Sequence, residues 1–335
     1  MRGPSLVSLV FMAADCLMLY ITRLKRRDAI HELNLSPGTE VNKALPPRLA
    51  ILLTICLWGF SFVASKVALG EISPVTLIFL RFALGTALLL AMVALRGGSP
   101  IPPRDSWPAL AVMGFVGIFV HHMLQSFGLT LTTASNTGWL IGLIPIWSAA
   151  LSAVVLKERF GAMKLAGLLG GFAGALLVIS RGKLGRDTLQ LPAARGDFLI
   201  LVSTVNWAVY SILGHATIKR LGPARATAGT MLFGWLMLAP FFLWLEGWRE
   251  LPNLSLKGWG AICFLGLGCS GLGYLFWYGA LERIEVSRVA AFFYVQPLVT
   301  LLAAVLLLGE PVSAATIIGG LVVLLSVLVI QRAPS

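Results

Sequence analysis

The residues able to do chemistry in this chain are few, and they sit inside long apolar runs. Asn206 and Gln296 stand near the middle of two such runs, with Trp58, Trp207, Tyr210 and Tyr294 at the same level or within two helical turns of it. Neutral amides beside aromatic faces offer hydrogen bonding and stacking, which is the chemistry of recognition and not of bond making. An amide in a dry environment needs a partner, because an unmatched one costs several kcal/mol. Two readings stand for each amide: it lines a cavity for a solute, or it bonds a neighbouring helix, a contact worth about 0.6 kcal/mol on average.

Charged and titratable residues are scarcer still. Arg81 is deep in its run, where an arginine costs roughly 2.5–3.5 kcal/mol on an insertion scale, whereas Lys66 is close enough to the end of its run to snorkel. His121 and His122 are adjacent, so they point about 100° apart around a helix and cannot both face a cavity squarely. Glu158 and Glu310 end two equivalent runs, as gate or hinge anchors or as plain markers of the headgroup level. No run holds Asp or Glu at its middle, and Asp105, Asp187 and Asp197 look isolated in loops. An enzyme needs a nucleophile, a carboxylate pair or a metal cluster, and none is legible. Cys16, Cys56, Cys263 and Cys269 form no CxxC pair, so neither a metal site nor a disulfide framework is expected. No cofactor is expected.

These groups must be positioned by ten helix-length apolar runs, at 49–69, 74–95, 107–127, 137–156, 163–179, 198–218, 226–245, 259–281, 289–308 and 314–330. A bilayer core of about 30 Å takes roughly 20 residues of helix. The runs repeat. Pro145, Leu156 and Glu158 recur 152 residues later as Pro297, Leu308 and Glu310, and Gly114 recurs as Gly266; Trp58, Pro74 and Gly85 recur 149 residues later as Trp207, Pro223 and Gly234. Five helices per copy is an odd number, so the second copy must enter the membrane from the opposite side. The expected fold is therefore all-α and membrane-embedded, ten transmembrane helices in two inverted five-helix repeats at 49–181 and 198–332. Residues 182–197 would be an outer linker and residues 1–48 an appendage and linker, with an extra apolar segment at 5–22. Pro145 and Pro297 each remove an i→i−4 hydrogen bond, so paired kinks are expected at one depth. Gly167, Gly170, Gly171 and Gly174 give GxxxG spacings for close helix approach, within one chain or between two; monomer and homodimer both stand.

Composition agrees with this architecture. The chain is 58% hydrophobic and 12% charged, with a mean hydropathy of +0.88, far from the roughly 25% charged residues of a soluble domain. The net charge of +12 lies in short clusters between runs, so it reads as an orientation signal and not as a nucleic-acid surface. With residue 48 on the cytoplasmic side, the inner loops and C-terminal tail hold eleven Lys and Arg and the outer loops six. Both termini are then cytoplasmic, in a multi-pass protein of the cytoplasmic (inner) membrane.

The run WGFSFVASKVAL in the first helix, Arg81-Phe82 in the second, the Pro145-centred fourth helix ending in LKER and its echo ending in LLGEPV together resemble the EamA-type transporters of the drug/metabolite transporter superfamily. The resemblance spans about residues 49–330. It implies a ten-helix carrier that exports or exchanges small metabolites through a cavity shared by both repeats; amino acids, sugars, vitamins and other compounds are all carried on similar frames. The expected substrate site is Trp58, Asn206, Trp207, Tyr210, Tyr294 and Gln296, and the expected pathway or gating residues are Lys66, Arg81, His121, Pro145, Glu158, Pro297 and Glu310. The expected partners are the bilayer and a small solute. An enzyme and a purely structural membrane protein are the rival classes.

Overall fold

The computed structural model describes residues 46–95, 99–156, 161–181, 192–281, 293 and 295–332. Tyr294, Glu158, the appendage at 1–45 and most of the linker lie outside the described residues. Helices dominate because hydrocarbon offers no hydrogen bonds, and a helix satisfies its own backbone. Four of them begin on a proline, α1 (Pro47–Leu69), α2 (Pro74–Leu95), α7 (Pro192–Leu221) and α8 (Pro223–Trp244). A first-turn proline loses no hydrogen bond, since that N–H has no partner anyway. The others are α3 (Trp107–Met113, Gly114–Val120 and His121–Leu131), α4 (Ala134–Ile141), α5 (Ile144–Leu156) and α6 (Ala162–Ser180). Then come α9 (Leu256–Cys263, Phe264–Gly273 and Tyr274–Leu281), α10 (Val295–Leu308) and α11 (Ala314–Arg332).

Each of the ten apolar runs carries helix. Among the described residues seven helices are long and apolar enough to cross a bilayer, and α10 and most of α11 are shorter apolar helices. The fourth run departs from expectation. A single helix over 137–156 with a kink at Pro145 is expected, but the chain breaks completely between α4 and α5. Pro145 cannot donate to the Ile141 carbonyl, and the N–H groups of Gly142 and Leu143 instead take the tighter i−3 carbonyls of Trp139 and Leu140 at 3.1 and 3.0 Å. Pro145 lies in the first turn of α5, so it does not kink a continuous helix; Pro297 is the third residue of α10, and residue 294 before that helix lies outside the described residues.

Two stretches, Gly114–Val120 of α3 and Phe264–Gly273 of α9, are π-helical. They contain Gly114 and Gly266, equivalent positions of the repeat. Each packs against a partner helix where only hydrogen fits. A Cβ on Gly85 of α2 would lie 2.8 Å from Ser270 Cβ and 3.2 Å from the Gly266 carbonyl, and one on Gly234 of α8 would lie 2.4 Å from Ile118 Cβ and 2.9 Å from the Gly114 carbonyl. The GxxxG helix α6 lies against α11 of the same chain: a Cβ on Gly174 would stand 2.7 Å from the Gly319 carbonyl, and one on Gly319 equally close to that of Gly174. Close approach through these glycines is therefore intrachain.

Two apolar cores result. One joins α1, α2, α3, α8 and α9 around Ile55, Leu77, Phe82 and Leu265; the other joins α1, α4, α5, α6, α7, α10 and α11 around Trp139, Leu140, Val178 and Val323. Trp207 packs against both. Outward, Leu169 and Leu176 of α6 and Leu302 and Leu306 of α10 are 58–70% exposed, an apolar surface of the kind a bilayer covers. The chain is a multi-pass membrane protein.

Candidate functional site

Between the two cores lies a cavity whose walls come from both halves of the sequence. Trp58, Ser61 and Phe62 of α1 and Arg81 of α2 meet His121, His122 and Gln125 of α3; Ile141 and Ile144 flank the α4–α5 break; Trp207, Tyr274, Phe293 and Gln296 close the far side. The space open to the centre of a water-sized sphere is about 50 Å³. At roughly 10–15 Å³ per water, that is room for a few waters.

Aromatic rings hold the walls. Trp58 is within 6.2 Å, centroid to centroid, of Trp207, Tyr274, Trp277 and Phe293, and Trp207 lies 4.8 Å from His121 and 5.3 Å from Tyr210. Backbone carbonyls of the two π-helical stretches serve as anchors for side chains in the same walls. Trp58 Nε1 donates to the Cys269 carbonyl at 3.1 Å, and Asn206 Nδ2 to the Val116 carbonyl at 2.7 Å. His121 Nδ1 lies 3.1 Å from the Ser203 carbonyl, and since a carbonyl only accepts, that nitrogen carries the proton. Thr54 Oγ1 shares its one proton between the Ala50 carbonyl of its own helix at 2.9 Å and the Gly273 carbonyl at 3.2 Å. Positions 54 and 203, and 121 and 273, are equivalent by the two offsets, so the halves meet at matching pairs of positions, with the side chain supplied from opposite members of the pair.

Some polar atoms at the cavity find no such anchor. Gln296 is 3% exposed and His122 5%, yet Gln296 Oε1 and His122 Nε2 have no hydrogen-bond partner among the described residues. Arg81 Nε donates to Ser270 Oγ at 2.8 Å, and its guanidinium lies 5.5 Å from the Phe82 ring centroid.

The structure thus gathers Trp58, Trp207 and Gln296 of the expected substrate set, with Arg81 and His121 of the pathway set, around one space. Asn206 and Tyr210 stand behind the wall, the first bonded to Val116 and the second packed on Gly117 and Trp207. Pro145 is next to the lining residue Ile144, and Pro297 Cγ faces the break at Gly142. Ser61, Gln125, Ile141, Ile144 and Tyr274 line the space without having been singled out. Gln125 escapes a search for mid-run residues because it is near the end of its run, although its i,i+4 spacing from His121 puts the two on one face.

Glu310 and Lys66 belong to a second cluster, beside the start of α4. The left-handed turn at Gly309, φ 64°, brings the Glu310 carboxylate onto that helix end. Ala134 N, Ser135 N and Ser135 Oγ donate to it at 2.8, 3.0 and 2.8 Å, a charged cap where the helix dipole favours one. Half-buried Lys66 lies within its electrostatic reach. In the same region Asp197 corrects the sequence reading twice. It is the sixth residue of α7, not part of a loop, because the helix begins at Pro192. Nor is it isolated: fully buried, it accepts from Thr132 Oγ1 in a short hydrogen bond and from Asn136 Nδ2 at 3.1 Å. Asp105 is not isolated either, since Arg220 Nη1 pairs with it at 3.1 Å. On another connection, Ser255 N and Oγ both donate to Glu71 at 2.7 Å, which with nearby Lys257 holds the Glu71 carboxyl below the usual range.

The fold and family are matched elsewhere. The family model described as the EamA-like transporter family matches residues 46–180 and again 194–332. An uncharacterized transporter of Archaeoglobus fulgidus is 32% identical, over 83% of this chain and 95% of its own. A protein of Streptantibioticus cattleyicolor described as a probable terminal-alkyne amino-acid exporter is 26% identical over 84% of this chain and 92% of its own. A crystal structure 24% identical in sequence covers 85% of this chain and 98% of its own with a TM-score of 0.61, a likeness of fold.

Proposed function

Because this chain belongs to the EamA-like transporter family, we propose that it carries a small amphipathic metabolite, an amino acid or a solute of similar size, outward across the cytoplasmic membrane by alternating access. In this reading all ten runs cross the bilayer as two inverted repeats with cytoplasmic termini, and the appendage stays outside the bundle. The observation that carries the proposal is the cavity. It lies between the halves and presents unpartnered Gln296 Oε1 and His122 Nε2 among aromatic faces. A buried polar atom left unmatched costs about 1–3 kcal/mol, and a solute that supplies the partner recovers it. The repetition of the family match, the crosswise bonds and the matching π-helical stretches support a two-halved mechanism, in which one half rocks against the other. The name of the exporter relative supports the amino-acid-sized cargo and the direction.

The test is flux in proteoliposomes holding the full-length protein. Radiolabelled amino acids, and small metabolites of other classes, should include at least one that exchanges saturably and faster than in protein-free vesicles. Flux equal to that of empty vesicles for all of them would overturn the proposal. The orientation has its own check. Cysteines replacing Arg186 and Arg104 in turn should label and not label, respectively, with an impermeant thiol reagent on intact cells; the reverse pattern inverts the topology.

A further inference from the structure

The cavity carries a charge that its own walls leave unanswered. Among the described lining residues Arg81 is the one Asp, Glu, Lys or Arg, and it is only 8% exposed. Its Nε bonds Ser270, and among the described residues no carboxylate lies within ion-pairing distance of it. The buried carboxylate Asp197 is bonded to Thr132 and Asn136. A guanidinium has five N–H donors in a planar fork, and among the described residues only the one on Nε has a hydrogen-bond partner, which leaves four on the two terminal nitrogens. Arginine within a membrane is ordinarily answered by an acid or by backbone carbonyls; the Phe82 ring face, 5.5 Å away, is a weak substitute.

We infer that the cavity takes a solute bearing a single carboxylate, held by the terminal nitrogens of Arg81, with the apolar part of the solute against Trp58, Trp207 and Phe293; this rests on the reading of the cavity as the solute site. The guanidinium fork matches a carboxylate in two parallel hydrogen bonds. One lining cation balances one negative charge, so a doubly charged phosphate monoester would leave charge uncompensated. Gln296 Oε1, an acceptor, suits a donor elsewhere on the same solute.

The experiment titrates purified full-length protein with matched pairs, each of the twenty common L-amino acids and its primary amide, then phenylacetate and phenylacetamide, and finally phenyl phosphate. Tryptophan fluorescence reports binding, since Trp58 and Trp207 line the space. At least one acid should bind tenfold or more tightly than its amide. Arg81→Gln should abolish that preference by weakening the acid while leaving the amide within about twofold, and Arg81→Lys should restore part of it. Equal binding of acid and amide by the unaltered protein overturns the carboxylate inference and leaves the cavity as a solute site. So does tighter binding of phenyl phosphate than of any acid. A preference that survives Arg81→Gln removes Arg81 from the site, and failure of every compound to bind overturns both this inference and the reading beneath it. If Arg81→Gln does not fold, the acid–amide comparison in the unaltered protein still decides.

Discussion

Asn206→Leu and Gln296→Leu are the same chemical change, yet the structure assigns them opposite consequences. Asn206 Nδ2 is bonded at 2.7 Å to a π-helical carbonyl, that of Val116. Removing it loses one hydrogen bond, a cost of about 0.5–1.5 kcal/mol, while the Val116 carbonyl keeps the His121 N–H. Because the residue stands behind the cavity wall, transport per folded molecule should change little. Gln296 Oε1 has no partner to lose among the described residues, and leucine is close to glutamine in volume, so Gln296→Leu should leave stability within about 0.5 kcal/mol of the unaltered protein or raise it. The solute, however, loses a hydrogen bond worth about 1–2 kcal/mol, a 5- to 30-fold loss of affinity. Thermal unfolding in detergent measures the first quantity, and flux in proteoliposomes, normalised to folded protein, measures the second. The reasoning is refuted if both variants lose stability alike, or if Gln296→Leu destabilises while its transport is untouched.

Glu310→Ala removes the acceptor of three hydrogen bonds at the start of α4 and should cost about 2–3 kcal/mol, with Glu310→Gln intermediate, read as a lowered midpoint of thermal unfolding. Glu71 makes stability acid-sensitive. Its folded-state pKa lies below the ordinary Glu value, so its contribution is present above the unfolded pKa of about 4.3 and is lost as pH falls through the lower folded value; the unaltered protein should lose more thermal stability than Glu71→Gln across that interval, and parallel pH profiles would contradict this. Gly174→Val puts side-chain carbons within 3 Å of the Gly319 carbonyl, so it should part α6 from α11 and lower the yield of folded monomer, whereas Gly161→Val, with open space around its Cβ, should not. Deleting residues 1–45 should leave insertion and transport intact, and loss of folded protein would place that segment in the bundle.

Much of this was legible in the residues because a bilayer imposes simple rules. Apolar length marks the helices, and a polar or aromatic residue deep in an apolar run must have a partner or a purpose. That logic reached Trp58, Trp207, Gln296, Arg81 and His121, which share one space. It could not separate Gln296 from Asn206. Both are mid-run amides, and the difference is that Asn206 meets the Val116 carbonyl of a neighbouring helix, a contact that the sequence of a single run does not show. The break before α5 was half visible. Pro145 announced a lost hydrogen bond, but the chain yields at Gly142 and Leu143, where i−3 bonds replace the longer ones. Asp197 was hidden by its neighbours, since Arg195 and Gly196 look like loop although Pro192 is a sound helix start. Tyr274 was hidden by its position after a glycine-rich stretch that draws attention to packing.

Alternating access makes the cavity reachable from each side of the membrane in turn, and that can be measured without knowing the solute. Ser61 lines the space and is 7% exposed, so Ser61→Cys, in a chain whose native cysteines are replaced, places one thiol at the centre of the site. In sealed vesicles of either orientation, an impermeant thiol reagent added outside should modify that cysteine slowly but completely, from the cytoplasmic face and from the opposite face alike. Modification from one face only, or from neither, would contradict the account.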